Sequence, residues 1–423
     1  MSQQPALVHK PIKRGAEAHS SEGIVPPLFP RTIGPNSLKY VQEVLDSGLT
    51  LDSVGKFEQA FAAELGVKHC IATPTCTTAM AALALAFDFD PGDEVIISPL
   101  TDYGTVYGVL MHNYIPVFPD TAPGTVNFSA ETIEPCITDR TRAILAVHKC
   151  GLPNDMDPIN ELAAKHGLIV YEDICQAIFS EYKGRVVGTL GTASAFSLDS
   201  EKTFSSDKGG CIATDDDELA EKVRFLSSGR AGVDVPHFGR THTAFGHAYD
   251  MSRMTAALCL GQLETIRAQV AKIDRTVRLI TEKLSSIDGI TPLPIPDYVT
   301  KYSAWMSSFS INPEAFKCTG EEFAAQVLEA GVNGAGQGKY YLMPAALPFL
   351  QEYVDANKYP FSRPPASHVY HYSSATCPTA WAFLENWVRT CSISEKWEDE
   401  HIEMIAAIVA EVGVRNSCGY AVE

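Results

Sequence analysis

Lys202 and Asp173 are the two side chains of this sequence whose chemistry and placement belong together. The run Leu168-Ile169-Val170-Tyr171 is continuously apolar, too short for a helix and typical of a strand buried on both faces. It ends in the acidic pair Glu172-Asp173. A second run, 193–198, reads as another strand and delivers Lys202 just beyond its end. In open α/β sheets the loops at the carboxyl ends of strands build the ligand crevice, so a carboxylate and an amine at two such ends can face one small molecule. An amine forms a Schiff base with an aldehyde, and a carboxylate keeps a pyridine nitrogen protonated so that the ring draws in electrons. That pairing is what pyridoxal 5'-phosphate (PLP) chemistry requires. Spacing alone does not carry the assignment, because a lysine after a strand is more often simply solvated.

The surrounding wording adds to it. The chain reads E-D-x-x-Q-A from Glu172, Y-K-G from Tyr182, S-x-x-x-x-K from Ser197 to Lys202, and G-G at Gly209-Gly210. This wording resembles the DegT/DnrJ/StrS-type PLP-dependent aminotransferases, which act on keto-sugars and keto-cyclitols and share the fold-type I, aspartate-aminotransferase-like architecture. The resemblance runs over most of the chain and is densest between Gly55 and Gly210. It implies that Lys202 is the Schiff-base lysine and Asp173 the pyridinium partner. It places Gln176 near the cofactor's ring hydroxyl and Ser197 at its phosphate.

The same comparison exposes departures. Hydroxyls and N–H groups at a helix start make a phosphate site on general grounds, although a plain N-cap is the commoner use. The family turn S-G-T-A is here Thr75-Cys76-Thr77-Thr78, so the match rests on Thr77 and the backbone of Thr78. Relatives stack an aromatic on the pyridine ring one residue after a threonine. Here Asp102 follows Thr101 and the aromatic is Tyr103. Where the family carries an Asn and an Arg at the inter-subunit site, this chain has Ala248 and Asp250, and Lys208 replaces a Glu.

The elements that must position these residues follow from the rest of the sequence. Its 423 residues give room for two or three domains. Strand and helix patterns alternate from about residue 37 to 280, which predicts a three-layer α/β large domain with a mostly parallel sheet. Ser37 is expected to cap a first helix, a second runs over 57–65 to Gly66, a helix covers 131–136, and the last helix covers 395–412. Residues 1–24 read as a loose arm, 25–280 as the PLP-binding domain and 281–423 as a smaller C-terminal α+β domain. His148, at a strand end, and Lys339, Tyr340 and Tyr341, in a glycine-rich segment, are candidate substrate residues. A lone strand-end histidine is more often structural.

A net charge of -18 argues against nucleic acid or an anionic membrane as partner. Eleven cysteines without C-x-x-C spacing, and no apolar leader, predict a reduced, cytoplasmic protein. The histidines at 237, 242 and 247 are not spaced as metal ligands, and no metal is expected. No G-x-G-x-x-G follows a strand, which counts against a nicotinamide enzyme. By resemblance the protein is a homodimer that transfers an amino group from glutamate or glutamine to a keto-sugar or keto-cyclitol by a ping-pong route, in amino-sugar or aminoglycoside-type biosynthesis. Two other readings stay open: a PLP-dependent dehydratase, lyase or epimerase acting on a sugar, against which Lys202 speaks, and a non-catalytic PLP-binding regulator.

Overall fold

The computed structural model describes residues 23–361, 366 and 368–418. The expected arm at 1–24 lies outside the described residues except for its last two.

Seven strands make the central sheet. They are β1 (His69–Thr73), β2 (Glu94–Ile97), β3 (Ile115–Val117), β4 (Thr141–Val147) and β5 (Ile169–Asp173), then, after a short ribbon of β6 (Glu181–Tyr182) and β7 (Arg185–Val186), β8 (Ala193–Ser197) and β9 (Gly210–Thr214). Their order across the sheet is β1-β9-β8-β5-β4-β2-β3. From β3 to β8 every pairing is parallel, while β9 runs antiparallel to both β8 and β1. β2, β4 and β5 are buried almost throughout, which is why they read as continuous apolar runs rather than alternating ones.

Helices cover both faces: α1 (Ser37–Asp46), α2 (Ser53–Leu65), α3 (Cys76–Phe87), α4 (Tyr103–Met111), α5 (Ala130–Ile133), α6 (Met156–His166), α7 (Asp217–Ser227) and α8 (Arg253–Ser285). α2 buries Phe57, Phe61 and Leu65, one stripe at helical spacing, and Phe61 meets Phe179, Phe196 and Phe204. It stops at Gly66, whose φ of 78° is the left-handed cap that glycine supplies without strain. On the opposite face α3 is apolar all round and lies against α4. A Cβ at Gly108 would sit 2.6 Å from the Met80 carbonyl oxygen, so the close crossing requires glycine there.

Four helices differ from expectation at their ends: α2 begins at Ser53, a turn before residue 57, behind the Asp52 cap that accepts from Gly55 N–H. Ser37 is the first helical residue and Asn36 occupies the cap position. The helix expected at 131–136 breaks after Ile133 into the 3-10 turn Glu134–Cys136, because Pro135 cannot donate to the helix ladder. The last helix is Asp399–Asn416, set by a reciprocal cap between Glu398 and His401.

Beyond α8 an antiparallel sheet of Ile290–Pro292, Met306–Ile311 and Trp387–Ser392 is covered by the helices Gly320–Glu329 and Asp399–Asn416. A Thr319/Glu322 capping box opens the first of these. The turn Lys339–Tyr341 docks on the end of β2. The Thr101 N–H donates to the Tyr341 carbonyl at 2.9 Å, and the Met343 N–H to that of Pro99 at 2.9 Å. Among the described residues no helix is long and apolar enough to cross a membrane.

Candidate active site

Asp173 closes β5 and is 2 % exposed. Its Oδ2 accepts from the Thr105 hydroxyl at 2.6 Å, and its Oδ1 accepts from the Cys175 N–H at 2.8 Å. Thr105 is held in turn at 2.7 Å from the Thr101 hydroxyl. No Lys, Arg or His forms an ion pair with Asp173 among the described residues. A buried carboxylate with no counter-charge is costly. A protonated ring nitrogen placed against it removes that cost, so the arrangement suits the group expected there.

Lys202 sits in the loop between β8 and β9, its Nζ 4.2 Å above the Trp305 ring. The loop is fixed from outside. Arg31 Nη2 donates to the Lys202 carbonyl at 3.0 Å and to that of Thr203 at 3.3 Å, while its Nε reaches the Ser205 hydroxyl. Gln262 of α8 accepts from Gly34 N–H at 2.6 Å and donates to the Ser205 carbonyl at 2.9 Å. The lysine's backbone is therefore set, and only its side chain is free to move.

The start of α3 lies beside these groups. Thr75 and Thr78 cap one another reciprocally, and the Thr78 N–H donates to the Thr75 hydroxyl at 3.1 Å. The Thr77 hydroxyl has no partner among the described residues and lies where a Cβ on Gly104 would meet it at 2.7 Å. Gly210 is pressed on this turn, since a Cβ there would fall 2.3 Å from the carbonyl carbon of Thr75. That contact gives the G-G wording its physical reason. Ser197 ends β8, its hydroxyl accepting a long 3.4 Å bond from Asp199 N–H. Thr77, Ser197 and the α3 N-terminus form a donor set that fits a phosphate. Cys76 and Cys175 meet here with their sulfurs 3.0 Å apart, and Cys175 is held well above the ordinary thiol range by this contact and by burial.

Gln176 Oε1 accepts from the Cys150 N–H at 2.8 Å, leaving its amide nitrogen without a partner among the described residues. Tyr103 begins α4 half exposed and packs edge-on against Tyr107, with Asp102 at the cap accepting from Gly104 N–H. His148 is fully buried. Its Nδ1 accepts from the Asn154 N–H at 3.0 Å, and its Nε2 lies 3.0 Å from Glu172 Oε2. With both nitrogens engaged it braces the end of β4 and has no atom to offer a substrate. Lys339 points its Nζ over Trp381 at 5.6 Å. Tyr340 is half exposed and accepts from Arg389 Nη1 at 3.3 Å, while Tyr341 is buried beneath Lys149, whose Nζ stands 2.9 Å from the ring centroid. Thr105, Trp305, Arg31, Lys149 and Arg389 were not anticipated. Lys149 had a signal, since it follows His148 at a strand end just as Lys202 follows β8.

The model of the DegT/DnrJ/EryC1/StrS aminotransferase family matches residues 31–389. The chain is 37% identical over 281 residues to a GDP-perosamine synthase of Caulobacter vibrioides, covering 66% of this chain and 74% of that protein. It is 41% identical over 197 residues to the spore coat polysaccharide biosynthesis protein SpsC of Bacillus subtilis, 46% of this chain and 51% of that one, about half its length. Among solved structures, 3-amino-5-hydroxybenzoic acid synthase superposes with a TM-score of 0.80 at 22% identity, over 93% of this chain and all of that one. The aminotransferase PseC of Helicobacter pylori, involved in pseudoaminic acid biosynthesis, gives 0.76 at 23% identity, over 91% and 98%. These two share the fold: a mostly parallel sheet between helix layers, as the sequence predicts. With the family model spanning most of its length, the chain belongs to the DegT/DnrJ/EryC1/StrS aminotransferase family and is an enzyme of that kind.

Proposed function

We propose that this enzyme transfers an amino group from glutamate or glutamine to a keto-sugar or keto-cyclitol, with PLP as its cofactor and a ping-pong order of half-reactions. The observation that carries the reading is Asp173, buried without a counter-charge at the end of β5, with the fixed loop of Lys202 one strand away. Thr77, Ser197 and the start of α3 would hold the phosphate, Asp173 the ring nitrogen and Gln176 the ring hydroxyl. Bound there, PLP would supply an aldehyde that captures amines and a ring that takes up electron density from the reacting carbon.

The chain's own residues do the rest. Asp173, oriented by Thr105, keeps the proton on the ring nitrogen. Lys202 holds the cofactor between turnovers, then moves a proton at its Nζ to and from the substrate carbon once displaced. Trp305 gives that amine an aromatic face to rest on. The exposed Tyr103, Phe238 and Phe245 support a homodimer with its site at the subunit interface, and we take residues 25–280 and 281–423 as its two domains in the cytoplasm.

The test is an absorption spectrum of PLP-loaded protein before and after glutamate or glutamine, together with PLP affinity measured by equilibrium dialysis. Loss of the visible band on donor addition, and no turnover in Lys202→Ala, are expected. Retained steady-state transamination by Lys202→Ala would overturn the mechanism. A PLP band that no donor disturbs would favour the lyase or regulator readings.

A further inference from the structure

Lys149 is a buried amine with no anion beside it among the described residues. Its Nζ has no hydrogen-bond partner among the described residues and rests only on the Tyr341 ring. The side chain cannot reach water by shifting its backbone, because the turn that carries it is tied down on both sides. Cys150 sits at φ 59°, its N–H donates to Gln176 Oε1, and its carbonyl accepts from the Trp305 N–H at 3.1 Å. The ionisable groups acting on it are Cys150 on its own turn, Lys202 from the β8–β9 loop, Asp102 before α4, and Arg389 from the C-terminal sheet. Arg389 Nε is likewise buried without a partner among the described residues. Burial first, then the charges of Lys202 and Arg389, hold the Lys149 amine down at about 7, against opposing pulls from Cys150 and Asp102.

We propose that Lys149, backed by Arg389, is the seat of a substrate carboxylate next to the reacting carbon. This rests on the transamination reading above. An amino-acid donor carries its carboxylate on the same carbon whose proton Lys202 moves, so the anion must lie close to the Lys202 amine. Lys149 and Lys202 meet through one residue: Trp305 carries the Lys202 amine over its ring and donates its backbone N–H to the carbonyl of Cys150, next to Lys149, while Tyr341 is the floor on which the Lys149 amine waits. A carboxylate on the keto substrate would present the same chemistry to the same seat.

The binding step balances simply. A carboxylate enters, the neutral amine takes one proton from solvent, and the ion pair forms over the ring. For a group that titrates near 7 when the site is empty, uptake at pH 8 approaches about 0.9 proton per site. The complex raises that pKa, so affinity is full well below 7, is about half at 7 and falls about 50-fold between 7 and 9.

The experiment is calorimetric titration of the PLP-loaded enzyme with glutarate, a dicarboxylate that has no amine to react. It is run at pH 8 in two buffers of different ionisation enthalpy, on wild type, Lys149→Met and Lys149→Arg. Wild type is expected to bind with net proton uptake, less than one proton per site because Lys202 is engaged by PLP and no longer adds its charge. Lys149→Arg should bind without uptake, and Lys149→Met about 30-fold more weakly and without uptake. Lys149→Met should fold at least as well as wild type, since it removes a buried amine that has no hydrogen-bond partner among the described residues, and its thermal melt checks this. Glutarate that binds wild type and Lys149→Met alike, or binds neither, overturns the proposal. A matching rise in the glutamate needed for half-conversion of the cofactor identifies the donor's carboxylate as the occupant. Unchanged glutamate response, with glutarate blocking only the second half-reaction, identifies the keto substrate's. No conversion with any donor, alongside proton-linked glutarate binding, would sink the transamination reading and leave the seat standing.

Discussion

Glu172 and Asp173 are neighbours in one strand, and the pleat sends them to opposite faces. Both are buried carboxylates. Glu172 has its acceptors filled by its own chain: Leu190 and Gly191 N–H on Oε1, Gly188 N–H and His148 on Oε2. Among the described residues Asp173 accepts only from Thr105 and Cys175, and the start of α3 lies beside it. The first carboxylate is spent on closing the loop 187–191 against β5. The second keeps capacity for something that is not protein. Equal burial and equal chemistry thus mean opposite things, and what decides is how many acceptors the fold has used up.

Substitutions can break that contrast or sharpen it. Glu172→Ala strands three backbone N–H groups and His148 in the interior, and should cost about 3–5 kcal/mol in a urea melt. Asp173→Asn should leave stability within about 1 kcal/mol while turnover falls about 10²–10³-fold, the scale for removing one preorganised electrostatic contact. If the two variants lost stability equally, the contrast would be gone. Thr105→Val removes the hydroxyl that orients Asp173 and leaves the buried Thr101 hydroxyl without that partner. A loss of about tenfold in kcat/KM is expected, on the scale of one hydrogen bond to a charged group, with a cost of about 1–3 kcal/mol in the melt. A Thr105→Val enzyme with wild-type kinetics would show that Asp173 needs no orienting partner.

Much of the sheet was legible because strand alternation and terminal glycines are local signals. The reversal of β9 was readable in principle: segment 198–209 holds no helix, and a parallel return needs a crossover. Lys202 and Asp173 were legible from strand ends and wording together. Lys149 obeys the same strand-end rule, but a lysine reads as solvated unless its cover is known. That cover, Tyr341, arrives with a distant segment. Arg31, Trp305 and Arg389 were hidden for the same reason, since each reaches the site only after the N- and C-terminal segments dock on the sheet. His148 drew notice by residue type, yet type says nothing about whether both nitrogens are already engaged.

Trp305 serves two amines at once. Its ring lies under Lys202, and its backbone N–H anchors the turn that carries Lys149. The indole N–H closes the arrangement on the Glu201 carbonyl at 3.1 Å. The two lysines are therefore mechanically geared: a displacement of Trp305 changes the pose of one and the perch of the other together. A remodelling that adapts this enzyme to a new substrate must then work through the exposed loop around Tyr340 and leave the tryptophan still, because at Trp305 a gain at one amine is traded against register at the other.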